Sequence, residues 1–405
     1  MRRALAVAAG AALVVALSAT SALAARPSTH GCVWLAGDLH VHTVYSHDAF
    51  GGPLYDDEDE TQDAYTAGWT IAEEGAIAES RGLDYVAITD HNNIRAQSDP
   101  AWDVWASNGL VMVPAYENSI GGHAQMLGAT KVYDNSLGVP TVAAQLRADG
   151  GSFQINHPAD RAWEDASGNY EYPGFFPDSV EIWNIGAWIY QPPFPATNDH
   201  EYPLSFYDAF LDQGAHVAAT GGSDSHWRAT TPLQGPGQPT TWVCAERATA
   251  TGVVAGVRAG RTTISHQPPR YEGVFAELEA DADGDGKFES DLGDTVPAGT
   301  TVRASVDLAP GARLRIVTDG SSTLTEVPID SARFKHTFTV PASSSWVRAE
   351  VYYEDGGEVR SGLGPLCDVV GNITGNFGDE YGDVAYCTNR LAVVAMTSPI
   401  YVSAP

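Results

Sequence analysis

"GDLHVHTVYSHDAF", running from Gly37 to Phe50, places three of the chain's 12 histidines and two aspartates within the eleven residues from Asp38 to Asp48. The run "VWLAGDLHVHT" around its start reads as a β-strand. His40 and His42 stand two residues apart on it, so both rings project from one face. Two neutral imidazoles forced together each offer a lone pair, and that arrangement usually serves a cation.

Outward from this strand the chain keeps one rhythm as far as about His266. "TIAEEGAIAESRG" reads as a helix stopped by Gly82, and "LDYVAITDHN", "GLVMVPAYENS" and "HAQMLGA" read as strands. The helix "PTVAAQLRADGG", the strands "SFQINHP" and "SVEIWN", the helix "PLSFYDAFLDQG", the strand "AHVAATGGSDSH" and the helix "ERATATGVVAGVRAG" follow. The strands are continuously apolar rather than alternating, which argues a parallel sheet covered by helices. After "RTTISHQPPR" the rhythm changes to runs such as "TVRASVDL", "RLRIVT", "KHTFTVP" and "WVRAEVYYE", split by Gly, Pro, Asp and Ser. These predict a small all-β, sandwich-like domain. The expected organisation is therefore 1–24, 33–268 and 272–405, with the joint near Gln267–Tyr271.

Residues 1–24 read as a secretory signal. Arg2 and Arg3 form a basic head, an apolar stretch runs from Ala4 to Leu17, and Ala22-Leu23-Ala24 ends it in the small-x-small manner. No segment is long enough for a comfortable membrane span. The formal charge of −29 opposes binding to nucleic acid or anionic membranes, which rests on basic residues meeting phosphates. It suits an exported, secreted or periplasmic protein that holds cations. The four cysteines predict disulfides in such a compartment: Cys367 with Cys387 as the local pair, and Cys32 with Cys244 as the distant one.

The other strands end as the first one does. "ITDHNN" closes with Asp90 and His91, "PAYENS" with Glu117, "INHP" with His157, "EIWN" with Asn184 and "GGSDSH" with Asp224 and His226, while His123 opens its run. In a parallel barrel these ends meet on one face. A core tolerates so much buried polarity only with cations or a dense hydrogen-bond network. The ordered series "DLHVHT", "TDHN", "YENS", "GGHAQMLG", "NHP", "EIWN", "GSDSH" resembles the PHP (polymerase and histidinol phosphatase) domain, and more narrowly the secreted metallohydrolase branch that includes carbaryl hydrolase.

That resemblance implies a distorted seven-stranded β/α barrel carrying two or three divalent transition metals, with zinc, manganese and iron all suited to the ligands. His40, His42, Glu117 and Asp224 would surround the first, and Glu117 would bridge to a second held by His123 and His157. His91, His226 and His47 would hold a third, with Asp48 an alternative to His47. Asp90 reads as a partner that orients an imidazole, and Arg228, with Arg95 and Arg161, as a clamp for a substrate anion. Metals held close together lower the pKa of a shared water and supply a hydroxide.

The implied function is a phosphoesterase acting on a small molecule. A carboxylic ester, amide or carbamate hydrolase is the alternative, and a non-catalytic surface-binding protein the reading from another class. A serine mechanism fits poorly, because Ser225 fills the final Gly position of the Gly-x-Ser-x-Gly elbow around Ser223. In the C-terminal part, Asp281, Asp283, Asp285 and Gly286 open like a calcium loop, with Leu292 at the twelfth position and Asp291 or Asp294 left to close it. The run Asp56 to Glu60 reads as a solvated loop, and Trp188 and Tyr190 as a substrate wall or simple packing. The β-rich domain itself is a candidate binder of a surface or polymer.

Overall fold

The computed structural model describes residues 26–27, 31–47, 68–184, 201–226, 235–354 and 391–403. The expected leader, Asp48, the acidic run Asp56 to Glu60, Trp188, Tyr190, Arg228 and the Cys367–Cys387 pair lie outside these residues.

A short strand β1 (Arg26–Pro27) lies antiparallel on β2 (Val33–Val41). Helix α1 (Ile71–Arg81) forms because Thr70 and Glu73 close a reciprocal capping box, and it stops at Gly82 with φ 81°. Strand β3 (Tyr85–Ile88) follows parallel to β2. Helix α2 (Pro100–Ser107) starts on the Asp99 cap and Pro100. It buries no residue fully, so no continuous apolar stripe announces it in the sequence. Strand β4 (Val111–Pro114) completes this parallel trio.

A second sheet contains β5 (Glu117–Ser119), β6 (His123–Leu127), β7 (Ser152–Ile155), β8 (Ser179–Asn184) and β9 (Ala218–Gly222). Its pairs are antiparallel from β5 to β7 and parallel from β7 to β9. Helices α3 (Val139–Ala148) and α4 (Glu201–Asp212) lie in its connections. Strand β10 (Thr240–Ala245) then returns antiparallel to β2, and after α5 (Ala250–Arg258), β11 (Thr262–Ser265) pairs with β10.

The α/β alternation is present, but the expected seven-stranded β/α barrel is not formed as one closed ladder. Two sheets meet instead through single bridges, His91 to Glu117 and Val41 to Ser225. The Asp224 N–H donates to the His40 carbonyl across the second seam at 2.9 Å. Pairing slips between Asp38 and Val41 and between Glu181 and Trp183. Such irregularities re-aim side chains, and here they lie on β2, which leads to His40 and His42, and on β8, which ends at Asn184.

From Phe275 onward the described residues contain strands and no α-helix. They are β12 (Phe275–Asp281), β13 (Thr295–Pro297), β14 (Thr301–Asp307), β15 (Arg313–Thr318), β16 (Ser322–Pro328), β17 (Arg333–Thr339), β18 (Trp346–Glu354), β19 (Leu391–Thr397) and β20 (Ile400–Ser403). Strands β12, β14 and β17 make a separate antiparallel sheet. Its inner face packs with Val347 and Val351 of β18 through Ala276, Leu278, Val302 and Val306, in the two-layer manner of a sandwich. The outer layer belongs to the large sheet: β19 pairs with β11, Thr397 opposite Thr263, so the hydrogen-bonded ladder continues past the joint expected near Gln267–Tyr271. Cys32 and Cys244 form the distant disulfide, with Cα atoms 5.5 Å apart, fastening the start of β2 to β10.

Candidate metal centre

His40 and His42 leave the end of β2 fully buried. Around them gather His91 after β3, Glu117 opening β5, His123 opening β6, His157 after β7, and Asp224 and His226 after β9. His40 Nε2 lies 3.0 Å from His42 Nε2, and each lies 3.2 Å from Asp224 Oδ1. Glu117 presents its two oxygens to different sets of nitrogens. Oε2 lies 3.4 Å from His40 Nε2, 3.2 Å from His42 Nε2 and 3.1 Å from His91 Nε2. Oε1 lies 3.2 Å from both His123 Nδ1 and His157 Nε2.

Three groups of ligand atoms come close enough together to hold an ion: His40, His42, Glu117 and Asp224; His91, Glu117 and His123; and His42, His91 and His226. His42 thus stands where the sequence suggested His47, whose ring centroid lies 4.9 Å from that of His91. His157 reaches the second group through Glu117.

Asp224 Oδ1 tests whether cations fit. It is buried and accepts no hydrogen bond, yet three imidazole nitrogens, those of His40, His42 and His226, stand 3.2 Å away. Burial opposes ionisation of Glu117, but His40 and His91 outweigh it and hold the carboxyl well below the usual range. Asp224 is likewise held well below its range against burial, by His40 and His226. For His40, burial disfavours the charged form, while Asp224, Glu181 and Glu117 push its pKa well above the ordinary imidazole value. The pocket therefore demands positive charge, which protons or metal ions can supply in competition. A donor set of imidazoles and carboxylates suits divalent transition metals.

A shell of polar residues orients these groups. Ser46 Oγ lies 3.1 Å from His42 Nδ1, Asp160 Oδ2 2.9 Å from His157 Nδ1, and Glu181 Oε1 2.9 Å from His40 Nδ1. Asn156 Nδ2 donates to Glu117 Oε1 at 2.7 Å, and Asn156 Oδ1 accepts from Gln154 Nε2 at 3.1 Å. Sequence reasoning missed Asp160, Asn156 and Glu181. A charged residue inside the apolar strand "SVEIWN" was the signal for Glu181, and the three-residue step from His157 the signal for Asp160. Four of the seven non-glycine residues with positive φ among the described residues also lie here: Asn92, His157, Arg161 and Asp224. Backbone strain of this kind concentrates at functional sites.

Asp90 accepts hydrogen bonds from the Thr43 N–H at 2.6 Å and from its hydroxyl, buckling the turn after β2 to the end of β3. Ser223 Oγ donates to the His40 carbonyl at 3.3 Å, and its N–H donates to the buried Asp38 carboxyl at 3.1 Å. Arg95 lies over the Tyr45 ring at 5.5 Å, and Arg161 reaches Glu164 at 3.4 Å.

Far from this centre, Asp281, Asp283 and Asp285 converge with Glu289 on one point. Glu289, not Asp291 or Asp294, closes the loop, because Asp294 instead accepts from the Asp291 N–H at 2.9 Å. Gly286 takes the tight turn at φ 87° and donates to Asp281.

A family model described as "Protein of unknown function (DUF3604)" matches residues 32–104. No curated protein matches the sequence. Among solved structures, the chain is similar to a two-domain protein from Bacteroides vulgatus containing a predicted PHP-like metal-dependent phosphoesterase. The two share 14% identity with a TM-score of 0.41, over 81% of this chain and 92% of the other.

Proposed function

We propose that this chain is an exported, metal-dependent hydrolase of the PHP type that cleaves phosphoesters of small molecules. The observation that carries the proposal is Glu117, whose two oxygens face separate sets of imidazole nitrogens as a carboxylate shared between two ions would. His40, His42, Glu117 and Asp224 would hold one ion, Glu117 with His123 and His157 a second, and His91 and His226, with His42 or His47, a third. Divalent metals held there would lower the pKa of water towards neutrality and stabilise the charge on the phosphoryl oxygens.

The chain's own residues set the geometry. Ser46, Asp160 and Glu181 turn the imidazoles of His42, His157 and His40, and Asn156 steadies Glu117. Arg228 would meet the substrate anion. A nucleophilic serine is not part of this reading, because Ser225 fills the final Gly position of the elbow around Ser223. The phosphoester assignment rests on the motif series, and export on residues 1–24 together with the Cys32–Cys244 disulfide.

Elemental analysis of gently purified protein, followed by a screen of chromogenic phosphate and carboxylic esters with and without chelator, tests the proposal. At least two transition-metal ions per chain and chelator-sensitive phosphoesterase activity are expected. Less than one ion per chain, with activity indifferent to chelators, would sink it. The loop from Asp281 to Glu289 would take calcium, and a calorimetric titration without heat at millimolar calcium would leave it a plain Asp/Gly turn.

A further inference from the structure

Glu181 is fully buried on β8, and its carboxylate accepts from three donors that belong to three parts of the centre. Oε1 lies 2.9 Å from His40 Nδ1, while Oε2 accepts from the His157 N–H at 3.0 Å and from Asn184 Nδ2 at 2.9 Å. The same Asn184 amide donates to Asp224 Oδ2 at 3.1 Å. One carboxylate thus ties together His40, His157 and Asp224, which come from opposite ends of the polar series.

We propose that Glu181 is the positioning residue of the metal centre, fixing the tautomer of His40 and holding His157 and Asp224 in their strained backbone conformations. This rests on the hydrolase reading above. A carboxylate is an acceptor, so the His40 nitrogen facing it carries the hydrogen, and a metal ion that displaces the second proton would find the Nε2 lone pair. That lone pair faces the point where His42 Nε2, Glu117 Oε2 and Asp224 Oδ1 converge. His157 has φ 25° and Asp224 φ 49°, costly for residues with a Cβ. Glu181 holds the first directly and the second through Asn184. The close approach of Glu181 to His40 depends on Gly222, where a Cβ would overlap both His40 Cβ and Glu181 Oε1. Glutamine at 181 keeps the shape but has one acceptor oxygen for three donors. Whichever way its amide turns, His40 or His157 loses its acceptor.

The test compares wild type with Glu181→Gln, both stripped of metal and titrated with cobalt(II) against a chromophoric chelator. Glu181→Gln is expected to weaken at least one cobalt site by about 10- to 100-fold and to change the visible d–d absorption of the loaded protein. The metal-free variant should lose some stability through its unpaired buried donor, so the changed cobalt absorption of the loaded, folded variant, and not its melting temperature, separates positioning from a purely structural role. Unchanged affinity and an unchanged cobalt spectrum overturn the proposal. Should the variant fail to fold, nitrogen-15 NMR of the histidines in zinc-loaded wild type decides: His40 protonated at Nδ1 supports the assignment, and protonation at Nε2 refutes it. Wild type that takes up neither cobalt nor zinc defeats the hydrolase reading instead.

Discussion

Two buried polar clusters in this molecule are built on opposite terms. The first is the histidine centre, where among the described residues Glu117 and Asp224 meet imidazoles and side-chain amides. The second lies where β18 packs on α4. Arg348, 1% exposed, places Nε and Nη2 on the two oxygens of Asp208 at 3.0 and 2.9 Å and pairs its Nη1 with Glu350, which also binds Arg315. Two guanidiniums answer two carboxylates there. Against the cost of burial, Glu350 and Asp208 push the Arg348 pKa up, and burial of Glu350 is likewise overcome by Arg348 and Arg315, which pull its carboxyl down. The arginine cluster is complete from its own residues. The histidine cluster has lone pairs and carboxylates aimed at common points, the arrangement that the proposed function would complete with an ion.

The comparison breaks most visibly if the histidine centre proves self-sufficient. Replacing Asp224 by alanine, or Glu117 by glutamine, should lower hydrolysis by several orders of magnitude, with loss of at least one metal ion per chain. Metal content and rate measured on the same preparation check this. Full metal content with an unchanged rate would place the histidines with ordinary core polarity.

Arg348→Met probes the other side. It leaves Asp208 and Glu350 buried without their shared cation, and breaking such a pair costs about 3 to 5 kcal/mol. Urea unfolding should show that loss, while metal content and rate per folded molecule stay at the wild-type level. The contrast fails if the variant loses metal but keeps its stability.

The two clusters also differ in how legible they are in sequence. His40, His91, Glu117, His157 and Asp224 stand out because each ends an apolar run, and a run of that kind has few reasons to finish on a polar residue. Arg348 and Asp208 are invisible in the same way, since each lies in a local pattern that a surface residue satisfies equally well and their separation of 140 residues carries no periodicity. The helices α1, α3, α4 and α5 and most strands follow their local patterns. The pairing of β19 with β11 depends on contacts across more than a hundred residues, and no local pattern encodes it. Closure of the barrel is the expectation from the motif series; the strands instead form two sheets joined by isolated bridges, with register slips inside the β2–β3 and β8–β9 pairs.

A third way of burying a carboxyl sharpens the comparison, at a smaller scale. Glu277 on β12 accepts from Trp34 Nε1 at 3.1 Å, while the neighbouring Arg303 is held by Glu279. Burial first, then Glu279 and Asp291, push the Glu277 pKa up from the ordinary 4.5 to about 7. Lacking a cation of its own, this group stays protonated where the unfolded chain has released the proton. The native state therefore binds more protons across that window, and its contribution is full below about pH 4.5, declines through about pH 7 and is lost above it. Glu277→Gln mimics the protonated form at every pH. It should match wild type near pH 4.5 and exceed it at pH 8 by about 1 to 3 kcal/mol, from about 1.4 kcal/mol per pKa unit reduced for partial solvation. Urea midpoints at the two pH values read this directly. A variant less stable than wild type at pH 8 would mean that Glu277 is ionised and paired with Arg303, which would move it from the neutralised class into that of Arg348.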